Sequence, residues 1–107
     1  LAKTINPKTL VFDEVDSGIG GAVSSAVGER LKKLGGSRQV IVVTHSPQVA
    51  AYGNNHFVVK KVNHNKDTKI NVIKINLDEK IKEVARMLSG KVITQEAIKA
   101  AKKLIEN

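Results

Sequence analysis

The hydrophobic positions of this chain change rhythm three times. Two unbroken apolar runs come first: Leu10, Val11 and Phe12 close on Asp13 and Glu14, and the run within Gln39 to Thr44 closes on His45, Ser46 and Pro47. A run without polar alternation suits a strand buried on both faces of a parallel sheet, which predicts strands over 9–13 and 39–44 with Phe12 in the interior. Between them Val23, Val27, Leu31 and Leu34 recur at helical spacing and stop at Gly35 and Gly36. That spacing predicts a helix over about 20–34 that crosses back between two parallel strands. Pro47 fits the first turn of a short helix after the second strand.

Two further apolar runs, near 56–62 and 68–75, flank the polar stretch from Asn63 to Asp67 and predict a β-hairpin. The rhythm then becomes helical again. Ile81, Val84, Ala85 and Leu88 make one stripe; Ala97, Ile98, Ala101, Leu104 and Ile105 make another. Asn76-Leu77-Asp78 and Thr94 to Ala97 supply start signals, and Gly90 stops the first of the two helices. The order predicts an α/β fold: parallel strands with a crossover helix, then a β-hairpin and two C-terminal helices.

Composition narrows this further. The 107 residues make one domain, and the absence of cysteine excludes disulfides and thiolate metal sites. His45, His56 and His64 lack the close spacing of a zinc site. No apolar run approaches the ~20 residues that span a bilayer, and no secretory h-region is visible, so no membrane partner and a cytoplasmic setting are expected. The formal net charge of +8 raises nucleic acid as a partner. Its densest cluster is Lys60, Lys61, Lys66, Lys69 and Lys74 on the expected hairpin, opposed by Asp67. Such lysines would give affinity for DNA phosphates without sequence preference. With Phe12, Tyr52 and Phe57 as the only aromatics, base stacking has little to work with, and a solvated lysine-rich surface is the competing reading.

The chemistry lies where the two strands end. In open α/β sheets ligands bind at the carboxyl ends of the strands, where Asp13 and Glu14 fall. An apolar strand ending in two acids has the pattern of a Walker B strand. There the first acid holds a magnesium ion near nucleotide phosphates and the second can take a proton from the attacking water. The competing reading is that Asp13 to Ser17 only caps the following helix. His45, at the end of the next run, could reach a γ-phosphate opposite those acids, or be a structural histidine. A phosphate-cradling P-loop needs Gly-x-x-x-x-Gly-Lys-Ser/Thr, and Gly90-Lys91 is followed by Val92 and preceded by Ala85 where the first glycine belongs. Gly18-Ile19-Gly20-Gly21 is likewise no dinucleotide fingerprint, because Val23 stands at the last glycine position.

Leu10 to Ala22, followed by Val42 to Ala51, resembles the C-terminal end of the RecN family of bacterial DNA repair proteins, in the SMC-like branch of the ABC-type ATPases. The resemblance implies that 1–107 is the C-terminal part of a composite, P-loop-NTPase-like ABC/SMC head that uses ATP and Mg²⁺. It makes Asp13 the magnesium-side acid, Glu14 the catalytic base and His45 the switch histidine, with Asp16 and Ser17 starting the D-loop that touches the partner head. It also implies an N-terminal P-loop half beyond a coiled coil, a signature sequence just before Leu1, and a second head in a homodimer. DNA as a partner and association with the nucleoid follow from the same likeness. The alternatives are a head of another SMC-like or ABC-type ATPase, or a non-catalytic basic module that binds nucleic acid or a partner.

Overall fold

A computed structural model describes residues 8–14 and 20–106. In chain order it contains β1 (Thr9–Asp13), α1 (Gly21–Leu34), β2 (Gln39–Val43), α2 (Pro47–Ala50), β3 (His56–His64), β4 (Asp67–Ile75), α3 (Leu77–Ser89) and α4 (Gln95–Glu106). β1 and β2 pair in parallel, with Leu10 opposite Val40 and Phe12 opposite Val42, and α1 is the crossover between them. β3 and β4 pair antiparallel as a separate two-stranded sheet. The α/β class, the crossover, the hairpin and the two final helices all stand as the hydrophobic pattern predicts.

The expectation of strands buried on both faces does not hold. Leu10, Phe12, Val40 and Val42 are half-buried, whereas Val11, Ile41 and Val43 are exposed. Successive strand side chains point to opposite faces, and α1 packs on β2 from one side only, so the alternate row is left open among the described residues. Phe12 is therefore half-buried, not interior. β2 ends at Val43, one residue short of the expected limit, because the Thr44 hydroxyl accepts the Ser46 N–H at 2.9 Å and turns the chain.

The buried face of α1 also differs from the expected one. Ser24, Gly28 and Leu31 are buried, Val27 and Leu34 are half-buried, and Val23 is exposed. Close approach of the α2 segment explains the shift. A Cβ on Gly28 would stand 2.5 Å from Tyr52 Cδ2 and 3.2 Å from the Gln48 carbonyl oxygen. The helix therefore turns its smallest residues inward. Of the expected stripe, Leu31 is buried and Val27 and Leu34 are half-buried, while Val23 gives up its place to Ser24 and Gly28.

α3 and α4 form the main hydrophobic core. Val84, Ala85, Ala97 and Ala101 are buried, with Ile81, Ile98, Leu104 and Ile105 packed against them. Burying one such aliphatic side chain contributes about 1.5–3 kcal/mol. Both helix starts are held as the sequence predicts. Asn76 Oδ1 accepts the Glu79 N–H at 2.9 Å while Glu79 Oε1 accepts the Asn76 N–H at 3.0 Å, a complete capping box. Thr94 Oγ1 accepts the Ala97 N–H at 3.0 Å. Gly90, with φ of 83°, ends α3 in a conformation that favours glycine. The hairpin is longer than expected, with Asn65 and Lys66 as its two-residue turn. Asn65 takes φ of 57°, a value asparagine tolerates, and Thr68 Oγ1 donates to Asn63 Oδ1 across the strands at 3.1 Å.

Candidate active site

The parallel register brings two of the expected site residues together. Asp13 pairs with Val43 at the carboxyl ends of β1 and β2, and the Glu14 N–H continues the ladder by donating to the Val43 carbonyl at 2.9 Å. Glu14 thus stands one residue past β1 and His45 two residues past β2, on neighbouring strands. Glu14 Oε1 lies 3.5 Å from His45 Nε2, with both side chains open to solvent. The contact is an ion pair when the imidazole carries its second proton. Glu14 also adopts φ of 51°, a left-handed conformation that costs a non-glycine residue about 1–2 kcal/mol. An acid that accepts this strain at a strand end, beside a histidine from the next strand, is the constellation of a polar site.

The His45 segment is built by its own sequence. Pro47 occupies the first turn of α2, and Ser46 caps that turn, its Oγ accepting the Val49 N–H at 3.3 Å and donating to Gln48 Oε1 at 3.0 Å. Asp13 is exposed as the last residue of β1. Mg²⁺ keeps much of its water and is bound by one or two carboxylates together with substrate phosphates, so a single open carboxylate here fits that ion. No group of three or more metal-ligating side chains that could hold a metal by itself occurs among the described residues. Asp16 and Ser17 lie outside the described residues.

The five hairpin lysines do not share a face. Cross-strand partners project to the same side, and the register pairs Lys60 with Asn71, Lys69 with Val62, Lys61 with Ile70 and Lys74 with Phe57. Lys60 and Lys69 are therefore on one face, Lys61 and Lys74 on the other, and Lys66 is in the turn. The face bearing Lys61 and Lys74 also exposes Phe57, Val59, Ile70 and Val72.

Pattern reading missed Lys80 and His56. Lys80 is buried and its ammonium donates to the carbonyls of Ala51, at 3.1 Å, and Gly53, at 2.5 Å. Burial, and then the charge of Lys32, hold its pKa below the usual lysine range. Its sequence signal was its position four residues before Val84, in line with the buried stripe of α3. His56 is half-buried, and its Nδ1 is buried without a hydrogen-bond partner among the described residues. Burial, followed by the neighbouring Lys80, lowers its pKa, against a smaller opposing effect of Glu83.

No family model matches the chain. Direct comparison is more informative: over 103 residues, 96% of its length, the chain is 50% identical to DNA repair protein RecN of Rickettsia bellii. This chain is a homologue of part of RecN. It is also 47% identical over 98 residues to RecN of Xylella fastidiosa and 40% identical over 104 residues to that of Vibrio cholerae, 92% and 97% of its length. The match is to the C-terminal part of RecN, and the chain spans only 18–19% of the length of these relatives. Among solved structures, it superimposes with a TM-score of 0.61 and 17% identity on a chain from a study of ATP-driven dimerisation and DNA-stimulated activation of SMC ATPases. That alignment covers 80% of this chain and 51% of the other, and gives the RecN-like segment the α/β fold of a P-loop-NTPase-like head.

Proposed function

We propose that this chain is the C-terminal ATPase-head segment of a RecN-like protein of DNA double-strand-break repair and recombination. In this reading it supplies the Walker B acids, the D-loop and the switch histidine to ATP hydrolysis between paired heads. The observation that carries the reading is the approach of Glu14 and His45 to 3.5 Å at the carboxyl ends of adjacent parallel strands. Glu14 takes the proton of the attacking water, and His45 faces the γ-phosphate from the neighbouring strand. Asp13 would hold a magnesium ion, which would supply positive charge against the phosphates of the nucleotide. Asp16 and Ser17 begin the D-loop toward the second head. Of the remaining parts, the P-loop comes from the N-terminal half and the signature sequence from just before Leu1; a second head completes a homodimer, and the assembled protein acts on DNA in the cytoplasm. No helix among the described residues is long and apolar enough to cross a membrane.

The test uses a full-length protein that carries this segment. Glu14→Gln keeps the size of the side chain but removes its basicity, and should lower hydrolysis by roughly 10²–10⁴ while ATP still binds and closed heads accumulate. Asp13→Ala should weaken binding of magnesium-nucleotide, and His45→Ala should impair the response to the γ-phosphate. Single-turnover and ATP-binding measurements separate these defects. Near-normal hydrolysis in Glu14→Gln would remove Glu14 from catalysis.

A further inference from the structure

His45 has little side-chain packing to hold it, since its side chain is 89% exposed. Its position depends on the backbone on either side. On one side is β2. On the other is α2, a helix of 4 residues, far below the length at which a helix is stable alone. Three contacts compensate. Ser46 caps the start of α2, Gly28 of α1 lets Tyr52 and the Gln48 carbonyl approach closely, and the Lys80 ammonium closes the end by donating to the carbonyls of Ala51 and Gly53. A cation there satisfies carbonyls left free at the helix end and complements the helix dipole. Lys80 itself is fixed, because it lies one residue beyond the Asn76–Glu79 capping box of α3, and α3 is seated on α4 in the core.

We propose that Lys80 is a positioning residue for His45, tying the α2 turn to the α3–α4 core so that the histidine keeps its place beside Glu14. The proposal rests on the ATPase reading above. Lys80 touches neither Glu14 nor His45; it acts through the five residues, Ser46 to Ala50, that separate His45 from Ala51. Burial of the amine, which disfavours its charged form, is offset by two carbonyl acceptors that only this local geometry provides.

The experiment is a double-mutant cycle in a full-length protein carrying this segment. Lys80→Met should lower kcat for ATP hydrolysis about 10-fold while KM for ATP stays within about twofold. Lys80→Arg, whose guanidinium can still serve both carbonyls, should restore most of the rate. In a His45→Ala background Lys80→Met should lower kcat no further, because the group it positions is already gone. Equal losses from Lys80→Met in both backgrounds overturn the positioning role alone and leave the switch histidine standing. Undiminished hydrolysis in His45→Ala overturns the ATPase reading of His45 and this proposal with it. If Lys80→Met does not fold, Lys80→Gln, which retains one donor group, carries the same comparison with the same two outcomes.

Discussion

Gly28 and Tyr52 show how much a single site can depend on the absence of one carbon. Alanine is the better helix former at position 28 by about 1 kcal/mol, but its Cβ would stand 2.5 Å from a ring atom of Tyr52 and close to a backbone carbonyl. Overpacking of that kind costs about 1–3 kcal/mol and outweighs the propensity gain, so Gly28→Ala should destabilise the chain by roughly 1 kcal/mol in urea unfolding. A more stable variant would show that the contact is slack. His56 gives a pH dependence with a definite sign. Its folded pKa lies below the ordinary 6.5, so the unfolded chain binds the proton more readily. The contribution of the neutral imidazole is complete above pH 6.5 and is lost as pH falls from there through the folded value. Thermal unfolding followed from pH 8 to about 5 should show the midpoint falling, with a shallower slope in His56→Leu. A midpoint that rises on acidification in that range, or an unaltered slope in His56→Leu, would contradict the assignment. Neither Gly28 nor His56 was legible as special in the sequence, because each matters through a neighbour more than 20 residues away: Tyr52 for the glycine, Lys80 for the histidine.

Among the elements, helix starts and stops were the most readable features. They depend on neighbours in the chain, as in the Asn76–Glu79 box, where Asn76→Ala should cost about 1 kcal/mol by chemical denaturation. The hairpin was legible as a hairpin, but the consequence of its register was not. If all five lysines met duplex phosphates together, the log–log salt slope would approach about −4.5. With two lysines on each face and one in the turn, a single duplex meets at most three of them, for a slope near −2.7. Salt titrations of Lys61→Gln/Lys74→Gln against Lys60→Gln/Lys69→Gln should then show one pair mattering and the other not. Equal losses from the two pairs would mean that both faces bind, and unchanged binding in both would remove the hairpin as the contact.

At the scale of the whole molecule the decisive feature is uncovered apolar surface. Val11, Ile41 and Val43 are open on the β1–β2 sheet, and Phe57, Val59, Ile70 and Val72 are open on one face of the hairpin. A lone two-stranded hairpin is marginally stable in water, and apolar surface of this kind associates. The isolated chain should therefore form dimers or larger species, and light scattering that gives a strictly monomeric mass at high concentration would contradict this. It should also show no ATP turnover, since its sequence has no P-loop to align a phosphate with Glu14. Turnover that vanishes in Glu14→Gln would prove a complete site in these 107 residues.

The sequence by itself determined the order and kind of the elements, the helix caps, and the placing of Asp13, Glu14 and His45 at strand ends, because apolar periodicity and capping are local and repeat along the chain. Tertiary structure alone decided which face of α1 is buried, which face of the β1–β2 sheet stays open, how the hairpin lysines divide, and that Lys80 reaches back to Ala51 and Gly53. Those are relations between segments distant in the chain. They are set by how closely backbones approach and by which carbonyls are left to satisfy, and the order of hydrophobic and polar residues encodes neither directly.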